Sequence, residues 1–148
     1  MQGSIAPCRP MSIVRASLLL FLCMACALPA EARDYRRFFI GDRDLPTPGQ
    51  VGPGLLLAGG GDRNLGAMRW FLDRAGNGHI VVLSGSYTTE LANEFYRDVG
   101  AAVSVETFVF KNGKPANDPK ILASLARADG IFIAGGDQAT YVNAWQGT

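Results

Sequence analysis

A chain of 148 residues has room for one domain, and its 48% apolar content is enough for a packed core and excludes wholesale disorder. Its 14 basic and 13 acidic residues nearly cancel, so neither nucleic acid nor an anionic membrane surface has an electrostatic claim as partner. With Arg9, Arg15 and Glu31 set aside, twelve of each sign remain past position 32.

The first predicted element is a leader. Ser17 to Pro29 (SLLLFLCMACALP) is an unbroken apolar run, preceded by Arg9 and Arg15 and followed by Ala30-Glu31-Ala32. A basic stretch, a short apolar stretch and a small-x-small site together predict a secretory signal peptide over residues 1–32. The run is shorter than the roughly 20 apolar residues that span a bilayer. Met11 is an alternative start, since MSIVRA makes a neater basic stretch. All three cysteines (Cys8, Cys23, Cys26) fall in this leader, and their surroundings fit a lipid-anchor site poorly. A mature chain beginning near Arg33 and exported, to the exterior or the periplasm, then has no disulfide and no thiolate metal site.

Residues 33–54 read as an irregular N-terminal arm. Arg33, Arg36 and Arg37 cluster with Tyr35, Phe38 and Phe39, and an exposed arm accounts for them; Gly41 to Gly54 (GDRDLPTPGQVGPG) is dense in turn formers. From Leu55 to Thr148 strand and helix patterns alternate. Leu55 to Ala58 predicts a first strand ending at Gly59-Gly60-Gly61, and Asn64 caps a helix through Arg74 that Gly76 stops. His79 to Leu83 predicts a second, buried strand, and a helix follows from about Thr88 to Asp98. Val103 to Phe110 predicts a third strand. Ser104 and Glu106 interrupt one face of it, as on a strand near a sheet edge. After the polar loop Lys111 to Asn117, Asp118 caps and Pro119 opens a helix to about Arg127. Gly130 to Ala134 predicts a fourth strand, and a last helix starts after Gly135-Gly136-Asp137-Gln138 toward Trp145. The alternation predicts an α/β fold with an open, mostly parallel, doubly wound sheet of the flavodoxin-like kind.

Ligands of such sheets bind outside the carboxyl ends of the strands, where the winding reverses. An edge-like third strand implies that the fourth lies beside the first. That order brings Gly59-Gly60-Gly61 next to Gly135-Gly136, two loops whose backbone N–H groups suit an anion or oxyanion. Tight strand-to-helix turns are the bland alternative for the glycines. Nucleotide readings fail. Asn64 stands where a dinucleotide fingerprint needs its last glycine, Ser84 where it needs an acidic residue, and Ala67 where a P-loop needs lysine. The run Ala134 to Thr140 shares only part of the P-G-G-x-G-T-x-x-E pattern of lysine decarboxylase-like nucleotide hydrolases. No cofactor and no metal is expected. Ser84 and Ser86 lack a G-x-S-x-G surround and read as hydroxyls that cap the following helix or line a pocket. His79, the single histidine, opens the second strand, at the opposite end from the glycine loops, and reads as structural.

Gly59-Gly60-Gly61-Asp62, Met68-Arg69-Trp70, Ile131 to Gln138, Tyr141-Val142 and Trp145 to Thr148, in this order and spacing, resemble secreted cyanophycinase-like proteins. These belong to the serine peptidase family of cyanophycinase and aspartyl dipeptidase, hydrolases on a class I glutamine-amidotransferase-like fold. The resemblance runs from about Tyr35 to Thr148, and Ser84 to Thr88 departs from it. It implies a serine-type peptidase acting in proteolysis on peptide or isopeptide bonds, with an aspartyl-containing polymer as a substrate class. Gly135 and Gly136 match half of an oxyanion hole. Gln138 and Asp137 match pocket residues that hold substrate, and Gly59, Gly60 and Gly61 the neighbouring wall. The family's nucleophile is a serine in a G-T-S-A-G elbow after the next strand, with its histidine and acid further on. Residues 55–148 are thus expected to be the N-terminal part of such a domain, inactive alone, with an open edge on its fourth strand that pairs with another copy. A non-catalytic domain binding small acids is the alternative.

Overall fold

Which strand pattern finds a partner decides the sheet, and the computed structural model, which describes residues 34–86 and 88–148, shows a different set from the one expected. The leader lies outside the described residues. Strand β1 is Tyr35–Gly41, followed by helix α1 (Leu65–Arg74), strand β2 (His79–Ser84) and helix α2 (Glu90–Asn93). Helix α2 continues as a π-helical turn over Glu94–Asp98. Then come β3 (Ser104–Phe110), a 3-10 turn (Lys114–Asn117), α3 (Pro119–Ala126), β4 (Gly130–Ile133) and α4 (Gln138–Trp145). The sheet order is β1-β3-β2-β4. Strand β2 runs parallel to β3, with His79 opposite Ser104, and parallel to β4, with Ile80 opposite Gly130. Strand β1 runs antiparallel to β3, with Tyr35 opposite Phe110. The fold is α/β, with four helices on an open, mixed four-stranded sheet.

The expected mostly parallel sheet is corrected to a mixed one, because β1 joins it antiparallel, and three expectations about single elements are corrected with it. The arm over residues 33–54 is not irregular throughout, because Tyr35–Gly41 forms the edge strand β1. Its arginines are what an edge tolerates: the strand is solvated on one side, and charge there discourages further pairing. Leu55 to Ala58 forms no strand. Leu55 and Leu57 are 79% and 84% exposed and only Leu56 packs on the core, so its apolar pattern has no ladder to join. The chain before it is tied instead to the end of α1, where Gly52 N–H donates to the Arg74 carbonyl at 2.8 Å. The third strand is not near an edge. All seven residues of β3 are buried, and Ser104 and Glu106, the two that suggested an edge, are paired rather than solvated. Ser104 Oγ meets His79 Nδ1 at 2.7 Å, and Glu106 takes both Arg37 and Arg43. Buried polar groups persist in an interior strand when they find such partners.

Local signals hold better. Asn64 accepts from Ala67 N–H at 3.1 Å, Asp118 from Lys120 N–H at 2.8 Å and Asp137 from Ala139 N–H at 2.9 Å, each capping its helix. Gly76 ends α1 at φ +60°, the left-handed conformation that favours glycine. The helix after β2 starts at Glu90 and shifts to π spacing, with Val99 N–H donating to the Glu94 carbonyl at 2.8 Å.

Alternation along the strands splits the core in two. On one face Met68 and Leu72 of α1 and Leu91 of α2 join Phe95, Ile80, Val82 and Val105. On the other, Tyr35, Val81, Leu83, Phe108 and Phe110 pack against Ile121 of α3, with Trp145 of α4 partly buried beside them.

Candidate functional site

Because β2 and β4 are parallel neighbours, their carboxyl ends open on one rim. Two loops leave it: Ser84-Gly85-Ser86 from β2 and Ala134-Gly135-Gly136-Asp137 from β4. Tyr141 fastens them together. Its hydroxyl donates to the Ala134 carbonyl at 2.8 Å and accepts from Gly85 N–H at 3.0 Å. The residue sits four places after the cap Asp137, on the first turn of α4. Helical side chains lean toward the N-terminus, which carries its phenol back onto the loops.

Gly135, Gly136, Asp137 and Gln138 are all exposed. The N–H groups of Gly135 and Gly136 donate to nothing among the described residues, so they are free to meet an anion from solvent. A Cβ built on Gly136 would lie 3.6 Å from the Tyr141 hydroxyl and 4.0 Å from Ser86 Oγ, which places Ser86 beside this loop. Asp137 is engaged in capping α4, and Gln138 is that helix's first residue.

The expected pairing of two glycine loops is not found. No strand ends at Gly59, and a Cβ on Gly59, Gly60 or Gly61 would meet nothing within 4 Å. The fourth strand lies directly against β2, so Gly135-Gly136 adjoins Ser84–Ser86 instead. Past Gly61, Arg63 Nε donates to Glu94 Oε2 at 2.6 Å, and that carboxylate holds the guanidinium pKa above its ordinary value.

Ser84 is fully buried. Its Oγ donates to the Ser86 carbonyl at 2.7 Å and accepts from Ser86 N–H at 3.2 Å. A hydroxyl committed both ways and shut off from solvent braces its own loop; it neither caps α2 nor serves as a nucleophile. His79 stands at the other end of β2, with Nδ1 on Ser104 Oγ and Nε2 3.0 Å from the Leu45 carbonyl. That carbonyl can only accept, so Nε2 carries a proton and the ring is a structural cross-link. Among the described residues no three His, Cys, Asp or Glu side chains gather as a metal site.

Next to the rim, a cavity of about 190 Å³ is lined by Gly85, Lys111, Asn112, Tyr141 and Trp145 among others. The Tyr141 and Trp145 rings lie 4.8 Å apart and form one of its walls. Sequence reasoning did not find Tyr141 as the clasp. The signal was there, a tyrosine one turn past a helix cap that follows a glycine pair. Replacing Tyr141 by Phe keeps the ring but strips both loops of their partner. We expect a loss of about 1 kcal/mol in stability and faster hydrogen exchange at the Gly85 amide. Unchanged protection there would show that the clasp does not hold the loops.

Compared with known proteins, the chain matches no family model, no curated protein and no solved structure.

Proposed function

We propose that this chain is the N-terminal portion of a secreted, cyanophycinase-like serine-type peptidase that hydrolyses peptide or isopeptide bonds, with aspartyl linkages as its substrate class. The observation that carries the reading is the exposed Gly135-Gly136 pair, with uncommitted backbone N–H groups at the carboxyl rim and directly before a capped helix. A carbonyl carbon attacked by a serine develops negative charge on its oxygen, and fixed N–H donors are what such an oxygen needs. On this reading Gly135 and Gly136 supply half of the oxyanion hole, and Gln138 and Asp137 border the substrate. The remaining parts of the resemblance, a doubly wound glutamine-amidotransferase-like sheet and export through the leader, belong to the same proposal.

The chain by itself is expected to be inactive. Ser84 is sealed and His79 lies at the wrong strand end, so no Ser-His-acid set can be drawn from the described residues. A fluorophosphonate probe should leave the protein unlabelled, and stoichiometric labelling at Ser84 or Ser86 would make one of them the nucleophile. The reading as a whole is tested on the DNA past codon 148, expected to encode a strand and a G-T-S-A-G elbow. In the protein so encoded, Gly136→Pro removes one oxyanion donor and should lower kcat about 10²–10³-fold with KM little changed. If no frame encodes the elbow, the alternative of a non-catalytic domain binding small acids takes over, favoured by the same sealed serine.

A further inference from the structure

Helix α3 turns Ile121 and Ser124 inward, and both are buried. Ile121 packs in the apolar cluster against Val81 and Phe108. Ser124, one turn on, is only 6% exposed, yet its hydroxyl makes no hydrogen bond among the described residues. The hydroxyl is not sealed in the core; it opens onto the space beside the helix, where it is free to donate. It lines two adjoining cavities of about 230 and 320 Å³, which also share Arg43, Glu106 and Arg127.

The charge around these cavities is unbalanced. Glu106, 6% exposed, accepts from Arg37 and Arg43 through the same oxygen, Oε1. Arg43 is further held with its guanidinium 4.6 Å from the centre of the Phe39 ring. Arg127 and Lys120 line the space with no ion pair to any described residue. Counting Arg37, Arg43, Lys120 and Arg127 against Glu106 and Asp44, two positive charges are in excess. The carbonyl end of α3 opposes an anion here, but that effect is of fractional charge and fades within one turn. Two full charges outweigh it.

We infer that this double cavity binds a small, doubly charged oxyanion, a phosphate monoester or a dicarboxylate. Arg127 and Lys120 are its counter-charges, and Ser124 donates a hydrogen bond to one of its oxygens. Glu106 does not touch the anion through Oε1; it fixes Arg37 and Arg43 so that their remaining N–H groups face the space. The cavity that includes His79 lies at the amino end of β2, the end opposite the Gly85 rim. The site is therefore separate from the proposed oxyanion hole and does not depend on that reading.

The test is calorimetric titration of the full chain with inorganic phosphate and, separately, succinate, at ionic strength held constant with sodium chloride. Saturable binding near one per chain is expected for one of the two, and the tighter probe names the class. Joint substitution of Arg127→Ala and Lys120→Ala should weaken it roughly ten- to a hundredfold, the scale of charge-assisted hydrogen bonds. Ser124→Ala, which suits a helix and keeps the fold, should weaken it several-fold. No saturable binding of either probe, or equal binding by the double variant, overturns the inference.

Discussion

The unaltered chain is expected to elute as a dimer or larger species, and Ile131→Lys as a monomer. Among the described residues strand β4 pairs only with β2, so there its other side carries unpaired N–H and C=O groups. Ile131 and Ile133 are 48% and 57% exposed, on the face they share with their register partners Val81 and Leu83. An edge both open and apolar is a template for another chain. Two copies of β4 meeting antiparallel across a two-fold axis would set Ile131 of each against Ile133 of the other. Burying the exposed half of each isoleucine contributes about 1 kcal/mol. Four such side chains give about 4 kcal/mol, near a thousandfold in dimer Kd. Lysine at position 131 removes half of that and puts two like charges into the seam. Light scattering across a concentration series reads the outcome. A wild-type chain that stays monomeric throughout would show that the edge is closed by something else.

Phe95→Ala should come close to unfolding the domain. Phe95 is fully buried on the π turn, with its ring centre 5.7 Å from that of Phe71 and 5.1 Å from that of Phe132. It ties the α2 segment to Phe71 of α1 and Phe132 of β4, whose own rings lie 5.8 Å apart, on one face of the sheet. Truncating a buried phenylalanine costs about 3–5 kcal/mol, through lost transfer energy and the cavity left behind. A small domain has a net stability of about 5–15 kcal/mol, so one substitution removes a large share of it. Urea titration followed by circular dichroism gives the number. A cost below about 1 kcal/mol would mean that the site collapses freely and that the three rings are not the keystone of this face.

The features readable in the chain alone are those whose causes lie within a few residues. Asn64, Asp118 with Pro119, and Asp137 start helices because a short polar side chain reaches an N–H two or three places on. Gly76 stops α1 because glycine adopts a positive φ at little cost. The glycine pair at 135–136 stands out as an exposed turn between a strand and a capped helix. Which strands pair is a different kind of fact. Leu55 to Ala58 and Tyr35 to Gly41 compete on pattern, and the apolar one looks stronger. Yet Tyr35–Gly41 is the one that forms a ladder, against residues some 70 positions away, with Arg37 bonded to Glu106 across a separation of 69. The same distant contact makes Glu106 an interior residue instead of an edge mark. Ser84, legible as a hydroxyl at a strand end, becomes a sealed brace only when the loop folds back on it. Tyr141 becomes a clasp only because β4 lies against β2 and brings Ala134 and Gly85 within reach of one phenol. Caps and turns draw their energy from neighbours in sequence, whereas a ladder or a buried charge draws it from a partner that only the folded chain supplies.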